Sequence, residues 1–252
     1  MIDGHGLDSA SILSGGATVD WVDDLRTRDP RVQIWLDGIS LYADLALPEG
    51  AKSIVIFAHG TGSSRFSPRN RAVAADLQNA GIATLLLDLL TQQEEQAEGI
   101  SGRHRFDIGL LSSRLAVATA WVAEREELRS LSVGYFGAST GAAAAVVAAA
   151  MFPTAVSAIV CRGGRPDLAG PAIKIVTAPT LLIVGGLDTT VIAVNEKALA
   201  QMECTKKLEI VPGATHLFEE PGAMERVSNL AVHWFEKYLT PRARRVRQPM
   251  RL

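Results

Sequence analysis

The chain has 252 residues, 48% of them apolar and 21% charged, with 22 Gly and 11 Pro. That composition excludes disorder, collagen and coiled coil as descriptions of the whole chain, and the length suits one or two domains. Lys plus Arg number 25 against 27 Asp plus Glu, a formal charge of −2, so the basic excess of a nucleic-acid binder is missing and no nucleic-acid partner is expected.

In chain order, residues 1–28 are rich in Gly, Ser and Asp without periodicity and read as a flexible arm. Two β-rich runs follow, 31–36 and 40–47, joined by Asp37-Gly38, a strong two-residue hairpin signal. From residue 53 short apolar runs alternate with helical segments. The runs lie at 53–58, 83–87, 132–136, 155–160, 180–184 and 207–211, unbroken as in parallel strands buried on both faces. Helices are predicted at 70–80, 107–126, 139–150, 191–202 and 222–238. In the second of these, Ile108, Leu111, Leu115, Ala118, Trp121 and Val122 form an apolar stripe at helical spacing. The segment 91–106, with Glu94, Glu95 and Glu98, reads as a solvated crossover loop. Residues 240–252 hold Arg242, Arg244, Arg245, Arg247 and Arg251 and read as a solvated basic tail.

Strand–helix alternation of this kind predicts one open α/β domain over residues 29–239, with about eight mostly parallel strands flanked by helices. No long insertion interrupts it, so no large lid is expected. Cys161 and Cys204 have neither a framework partner nor CxxC spacing and read as buried thiols in a reducing compartment. No positive n-region precedes Arg26, and the longest apolar stretch, 142–152, is far short of the roughly 20 residues of a membrane span. A cytoplasmic protein without a membrane partner is the expectation. Nothing in the residues sets an oligomeric state.

Chemistry enters at Gly137-Ala138-Ser139-Thr140-Gly141, a GxSxG motif that follows a predicted strand and opens an Ala-rich helix. The setting is that of a nucleophile elbow: the turn is tight enough to need glycines on both sides of the serine, which then projects at the carboxyl edge of the sheet. A serine needs a base and the base an orienting acid. Of the five histidines, His216 follows the last predicted strand, where catalytic groups gather in this architecture, whereas His5, His104 and His233 lie in the arm, a polar loop and a helix. His59 ends the first parallel strand and reads as a structural hydrogen-bonding residue. For the acid, Asp188 follows a strand and gives the order Ser139, Asp188, His216; Asp167 competes, and Asp88 is discounted because it precedes the serine. His59-Gly60-Thr61-Gly62-Ser63-Ser64-Arg65 places backbone N–H groups where an oxyanion hole needs them. Thr140 and Thr61 are the expected donors, with Gly62 as a substitute for Thr61. Arg65 and Arg162 are candidate anion-binding side chains, with Arg69, Asn70 and Arg165 as further options.

With these motifs in hand, the chain resembles the α/β-hydrolases and, among them, the dienelactone-hydrolase-like proteins. The similarity runs from about residue 31 to 239 and rests on HGTGSSR, GASTG, GGLD and GATHLF in order. SSRFSPRN and RFDIGLLSSRL resemble members joined to a phosphoribosyltransferase domain, although no phosphoribosyl-diphosphate signature is visible. Dienelactone hydrolases proper use Cys at the elbow, so Ser139 points toward general esterase chemistry rather than the dienelactone. Together the residues and the resemblance imply a serine hydrolase that cleaves small or polar carboxylic esters without metal or organic cofactor. Alternatives are a thioesterase or amidase with the same triad, or a non-catalytic regulatory module on the scaffold.

Overall fold

A computed structural model of the chain describes residues 30–36, 38–101 and 104–240. The expected arm and tail therefore lie outside the described residues, as does Asp37 of the hairpin turn. Eight strands form one sheet: β1 (Arg31–Leu36), β2 (Ile39–Ala46), β3 (Ser53–Ala58), β4 (Ala83–Leu87), β5 (Ser132–Ala138), β6 (Val156–Arg162), β7 (Thr180–Gly185) and β8 (Lys206–Val211). Their spatial order is β1-β2-β4-β3-β5-β6-β7-β8. The β1–β2 and β2–β4 pairs are antiparallel and every other pair is parallel. The sheet is thus mostly parallel, with a hairpin capping one edge.

Seven helices are described: α1 (Pro68–Asn79), α2 (Gln92–Ser101), α3 (Ile108–Glu124), α4 (Thr140–Met151), α5 (Ala172–Ile175), α6 (Thr189–Gln201) and α7 (Ala223–Tyr238). Two apolar layers result because alternate residues of each buried strand point to opposite faces. Ile54, Ile56, Tyr135, Ile159 and Cys161 belong to a core with Leu115 of α3 and Ala145 of α4. Val55, Phe57, Phe136 and Val160 belong to the other, with Leu77 of α1 and Phe235 of α7. The central strands β3 and β5 are buried along their whole length, as unbroken apolar runs require. At the far edge β8 is buried only at Val211, since one of its flanks has no neighbouring strand.

The α4 sequence, TGAAAAVVAAAM, is shaped by this packing. Alanine has the highest helix propensity and little bulk, so α4 packs closely against both the sheet and α3. The crossover from β6 to β7 carries one short 3-10 turn, Pro166–Ala169, and the four-residue α5. No large lid is inserted there.

Besides the exposed β8 and the unpredicted short α5, one segment departs from expectation. The 91–106 segment is not a solvated loop: it folds as α2 and a 3-10 turn at His104–Phe106. Its polar composition hid a reciprocal cap, in which Thr91 N–H donates to Glu94 Oε2 at 2.8 Å and Glu94 N–H to Thr91 Oγ1 at 3.2 Å. Glu94 also receives both Nη atoms of buried Arg114, from α3, at 2.5 Å. Arg114 Nη1 donates further to Leu89 O at 2.8 Å. This fork fastens the crossover to the domain.

Burial opposes the charged form of Glu94, but the bonds from Arg114 and Thr91 and the Arg114 charge outweigh it and hold its pKa at about 2, below the ordinary 4.5. A carboxylate depressed in the folded state adds stability above pH 4.5, and that stability is lost as the pH falls toward 2. Thermal melts between pH 5 and 2 should therefore fall more shallowly for Glu94→Gln than for the wild type. Equal slopes would show that the fork contributes nothing to acid stability.

Candidate active site

Ser139 stands between β5 and α4 with φ 51° and ψ −120°, a conformation costing a non-glycine residue about 1–3 kcal/mol. Its surroundings impose that geometry. A Cβ at Gly141 would lie 2.1 Å from Ala58 O and 2.6 Å from His59 O, and one at Gly137 would lie 2.5 Å from Ala142 Cα. The start of α4 thus rests on the end of β3, with no room for a side chain at either glycine. Ser139 N–H donates to Arg162 O at 3.2 Å, and Ser139 O accepts from Ala142 N–H and Arg165 N–H at 3.1 and 3.0 Å. Held at both backbone ends, the residue remains partly exposed.

His216 follows β8, in the loop to α7. Its Nδ1 lies 2.6 Å from Asp188 Oδ2, and Asp188 also caps α6 by accepting from Val191 N–H at 3.4 Å. The imidazole lies over Gly163, where a Cβ would come within 3.4 Å of Cε1 and 3.5 Å of Nδ1. Gly163 follows Arg162, which is in register with Ala138 on β5. Histidine, aspartate and serine thereby gather at the carboxyl ends of neighbouring strands. Asp167, the competing acid, instead pairs with Arg165 at 2.7–3.2 Å. The structure brings Asp188, and not Asp167, to the histidine.

Thr61 and Thr140 are in direct contact. Thr61 N–H donates to Thr140 Oγ1 at 3.0 Å, and the two hydroxyls lie 3.1 Å apart. Thr140 opens α4, where backbone N–H groups have no carbonyl one turn earlier. His59 is buried beneath this loop: its Nδ1–H donates to Gly60 O at 3.0 Å and its Nε2 accepts from Leu89 N–H at 3.0 Å. Burial pushes its pKa below 6.5, against the hydrogen bond to Gly60 and the charges of Asp88 and Glu95. The ring is neutral and ties the β3–α1 loop to the segment after β4, the structural role expected of it.

The two candidate arginines part company. Arg65 is committed: its Nε lies 3.2 Å from Asp44 Oδ1, its Nη1 pairs with Asp88, and its backbone N–H donates to Asp88 Oδ1 at 2.7 Å. Its guanidinium also lies 4.0 Å from the centre of the Phe66 ring. With two carboxylates already on it, Arg65 is a strut between the hairpin and the loop rather than a free anion site. Arg162 is the reverse. It is 8% exposed, its Nε is buried without a hydrogen bond, and its guanidinium carbon lies 5.8 Å from the centre of the Phe218 ring. Burial, helped by the Arg69 charge, lowers its pKa to about 10, which still leaves it charged at neutral pH. Leu187 and Leu217, beside Asp188 and His216, are 63% and 41% exposed and give the site an apolar rim.

Cys161 is buried and its thiol is pushed up to about 12, by burial and then by Cys204; Cys204 is raised as well. Neither has the lowered pKa of a nucleophilic thiol. No cluster of three His, Cys, Asp or Glu suited to a metal occurs among the described residues. None of the described helices is long and apolar enough to cross a membrane.

Residues 41–239 match the model of the Dienelactone hydrolase family. The structure is similar to a dienelactone hydrolase from Anabaena variabilis, with a TM-score of 0.83 and 56% identity over 84% of this chain and 99% of that one. At 18% identity it shares a fold with Est1E from Butyrivibrio proteoclasticus, TM-score 0.70 over 83% of this chain and 98% of that one. Two proteins of Mycobacterium tuberculosis strains, each named a phosphoribosyl transferase, are 52% identical over 221 residues, 88% of this chain. The chain spans about half (49%) of the length of those relatives.

The close approach at the elbow gives a direct stability test. Gly141→Ala should cost about 3 kcal/mol or more, since overpacking ordinary cores costs about 1–3 and here the obstacle is rigid backbone. A denaturant midpoint unchanged by this substitution would mean that α4 can retreat from β3.

Proposed function

Because the chain belongs to the dienelactone hydrolase family, a family of α/β-hydrolases, we propose that it is a serine hydrolase that cleaves small or polar carboxylic esters through an acyl-enzyme intermediate. The observation that carries this reading is the 2.6 Å bond between His216 Nδ1 and Asp188 Oδ2, at the same sheet edge as the strained Ser139. A carboxylate on Nδ1 keeps the proton there and leaves Nε2 as a lone-pair base.

In the proposed cycle, His216 Nε2 takes the Ser139 hydroxyl proton as Oγ attacks the ester carbonyl. The carbonyl oxygen becomes an oxyanion, to which the N–H groups of Thr140 and Thr61 donate. For this, Thr61 N–H exchanges Thr140 Oγ1, its partner at 3.0 Å, for the more strongly charged acceptor. Collapse breaks the bond to the alcohol, which leaves with the proton from His216 and leaves an acyl group on Oγ. Water then attacks the acyl carbon, giving its proton to His216, and the second collapse releases the acid and returns the proton to Ser139. Asp188 stays ionised throughout and stabilises the imidazolium. No step calls for a metal or organic cofactor.

Two substitutions test the reading. Ser139→Ala should reduce turnover of 4-nitrophenyl acetate by roughly 10⁴–10⁶-fold; hydrolysis at the wild-type rate would refute the nucleophile. Asp188→Asn should lower kcat by about 10⁴ with the fold intact, because the amide favours the wrong imidazole tautomer. A loss below tenfold would remove Asp188 from the role.

A further inference from the structure

Arg162 presents a charge that the rest of the molecule leaves uncompensated. Arg65, Arg114 and Arg165 each pair with a carboxylate within 3.2 Å. Arg162 is more deeply buried than Arg65 or Arg165, yet no described carboxylate pairs with it, and its Nε is without a hydrogen bond. Removing a charge from water without a partner is strongly unfavourable, so a counter-charge brought by a bound anion would be stabilising here.

A second arginine stands close by. Arg69, in the first turn of α1, also has a buried Nε without a partner. Its Nη1 reaches Glu219 Oε1 only at 3.4 Å, and the Glu219 side chain is 66% exposed. Arg162 lies over Phe218 and Arg69 beside Glu219, so both guanidiniums converge on the loop that carries His216. Arg162 is also tied to the nucleophile, its carbonyl accepting from Ser139 N–H. With both guanidiniums on the His216 loop, a group held here would belong to the molecule whose acyl group is transferred to Ser139.

We propose that Arg162 and Arg69 form a pocket for a phosphate-class group carried by the substrate of Ser139. The inference rests on the serine-hydrolase reading. Charge and valence favour phosphate over carboxylate. One arginine fork uses both oxygens of a carboxylate, which would leave the second guanidinium unmatched, whereas a phosphate offers three oxygens and nearly two charges. The Phe218 face beneath Arg162 keeps water from one side of the guanidinium and strengthens its attraction for an anion.

The test separates the pocket from the chemistry by measuring binding to Ser139→Ala protein, which cannot turn over. Titration calorimetry with phenyl phosphate above pH 7 should give saturable binding. Adding Arg162→Met or Arg69→Met should weaken that binding at least tenfold, while Arg129→Ala, an exposed arginine paired with Glu126, should not. Arg162→Met removes charge from a packed position, so its melting temperature is measured alongside; half-exposed Arg69 provides the second variant. The proposal is overturned if phenyl phosphate fails to bind, if both methionine variants bind it as the parent does, or if benzoate binds as tightly. Failure of the ester-hydrolase reading would show separately, as equal turnover of 4-nitrophenyl acetate by wild type and Ser139→Ala.

Discussion

The site depends on one close approach: the backbone of Gly141, at the start of α4, rests against the carbonyls of Ala58 and His59 at the end of β3. That contact forces the chain to reverse within a residue of leaving β5, and Ser139 takes up the reversal with a positive φ. A serine in relaxed backbone would lie along the strand or helix. Held as it is, its side chain projects away from both, and the N-terminus of α4 lies beside it. The strain is sustained because β5 is paired with β3 from Ser132 to Gly137 and with β6 through Ala138. The same approach brings the β3–α1 loop to the helix N-terminus, which is why Thr61 and Thr140 touch.

Electrostatics sorts the remaining polar residues. Arginines look alike in sequence, and their roles here follow from where carboxylates happen to lie. Asp44 of the hairpin and Asp88 after β4 close on Arg65 and make it structural. Glu94 closes on Arg114 and fastens the crossover. Arg162 meets an aromatic ring and another cation instead. Asp167 and Asp188 divide in the same way: the first neutralises its neighbour Arg165, and the second is left for His216.

The strands were legible because burial on both faces demands unbroken apolar runs, a local signal that β3, β4, β5 and β7 carry in full. Ser139 and Asp188 could be singled out because each follows such a run and the nucleophile needs glycines at fixed offsets, and His216 because it lies between the last strand and the last helix. What escaped was non-local or locally polar. Apart from Ile100, α2 consists of Gln, Glu and small residues with no apolar stripe, and its anchor is Arg114, twenty residues from Glu94. The neutralisation of Arg65 depends on Asp44, twenty-one residues upstream on a strand two places away in the sheet. Arg162 stands out in the sequence only as a basic residue at a strand end, and its burial without a carboxylate partner depends on how distant elements pack. Signals set by a single element survive in the sequence; those set by which elements meet do not.

The central claim is that backbone strain and the Asp188–His216 pair make Ser139 reactive in the folded chain. Reaction with a fluorophosphonate, followed by peptide mass mapping, tests this directly, because the reagent needs an activated serine and no particular substrate. The account predicts a single adduct, on Ser139, that fails to form once the chain is denatured. An unmodified Ser139 in the folded protein, or labelling that persists unchanged after denaturation, would contradict it.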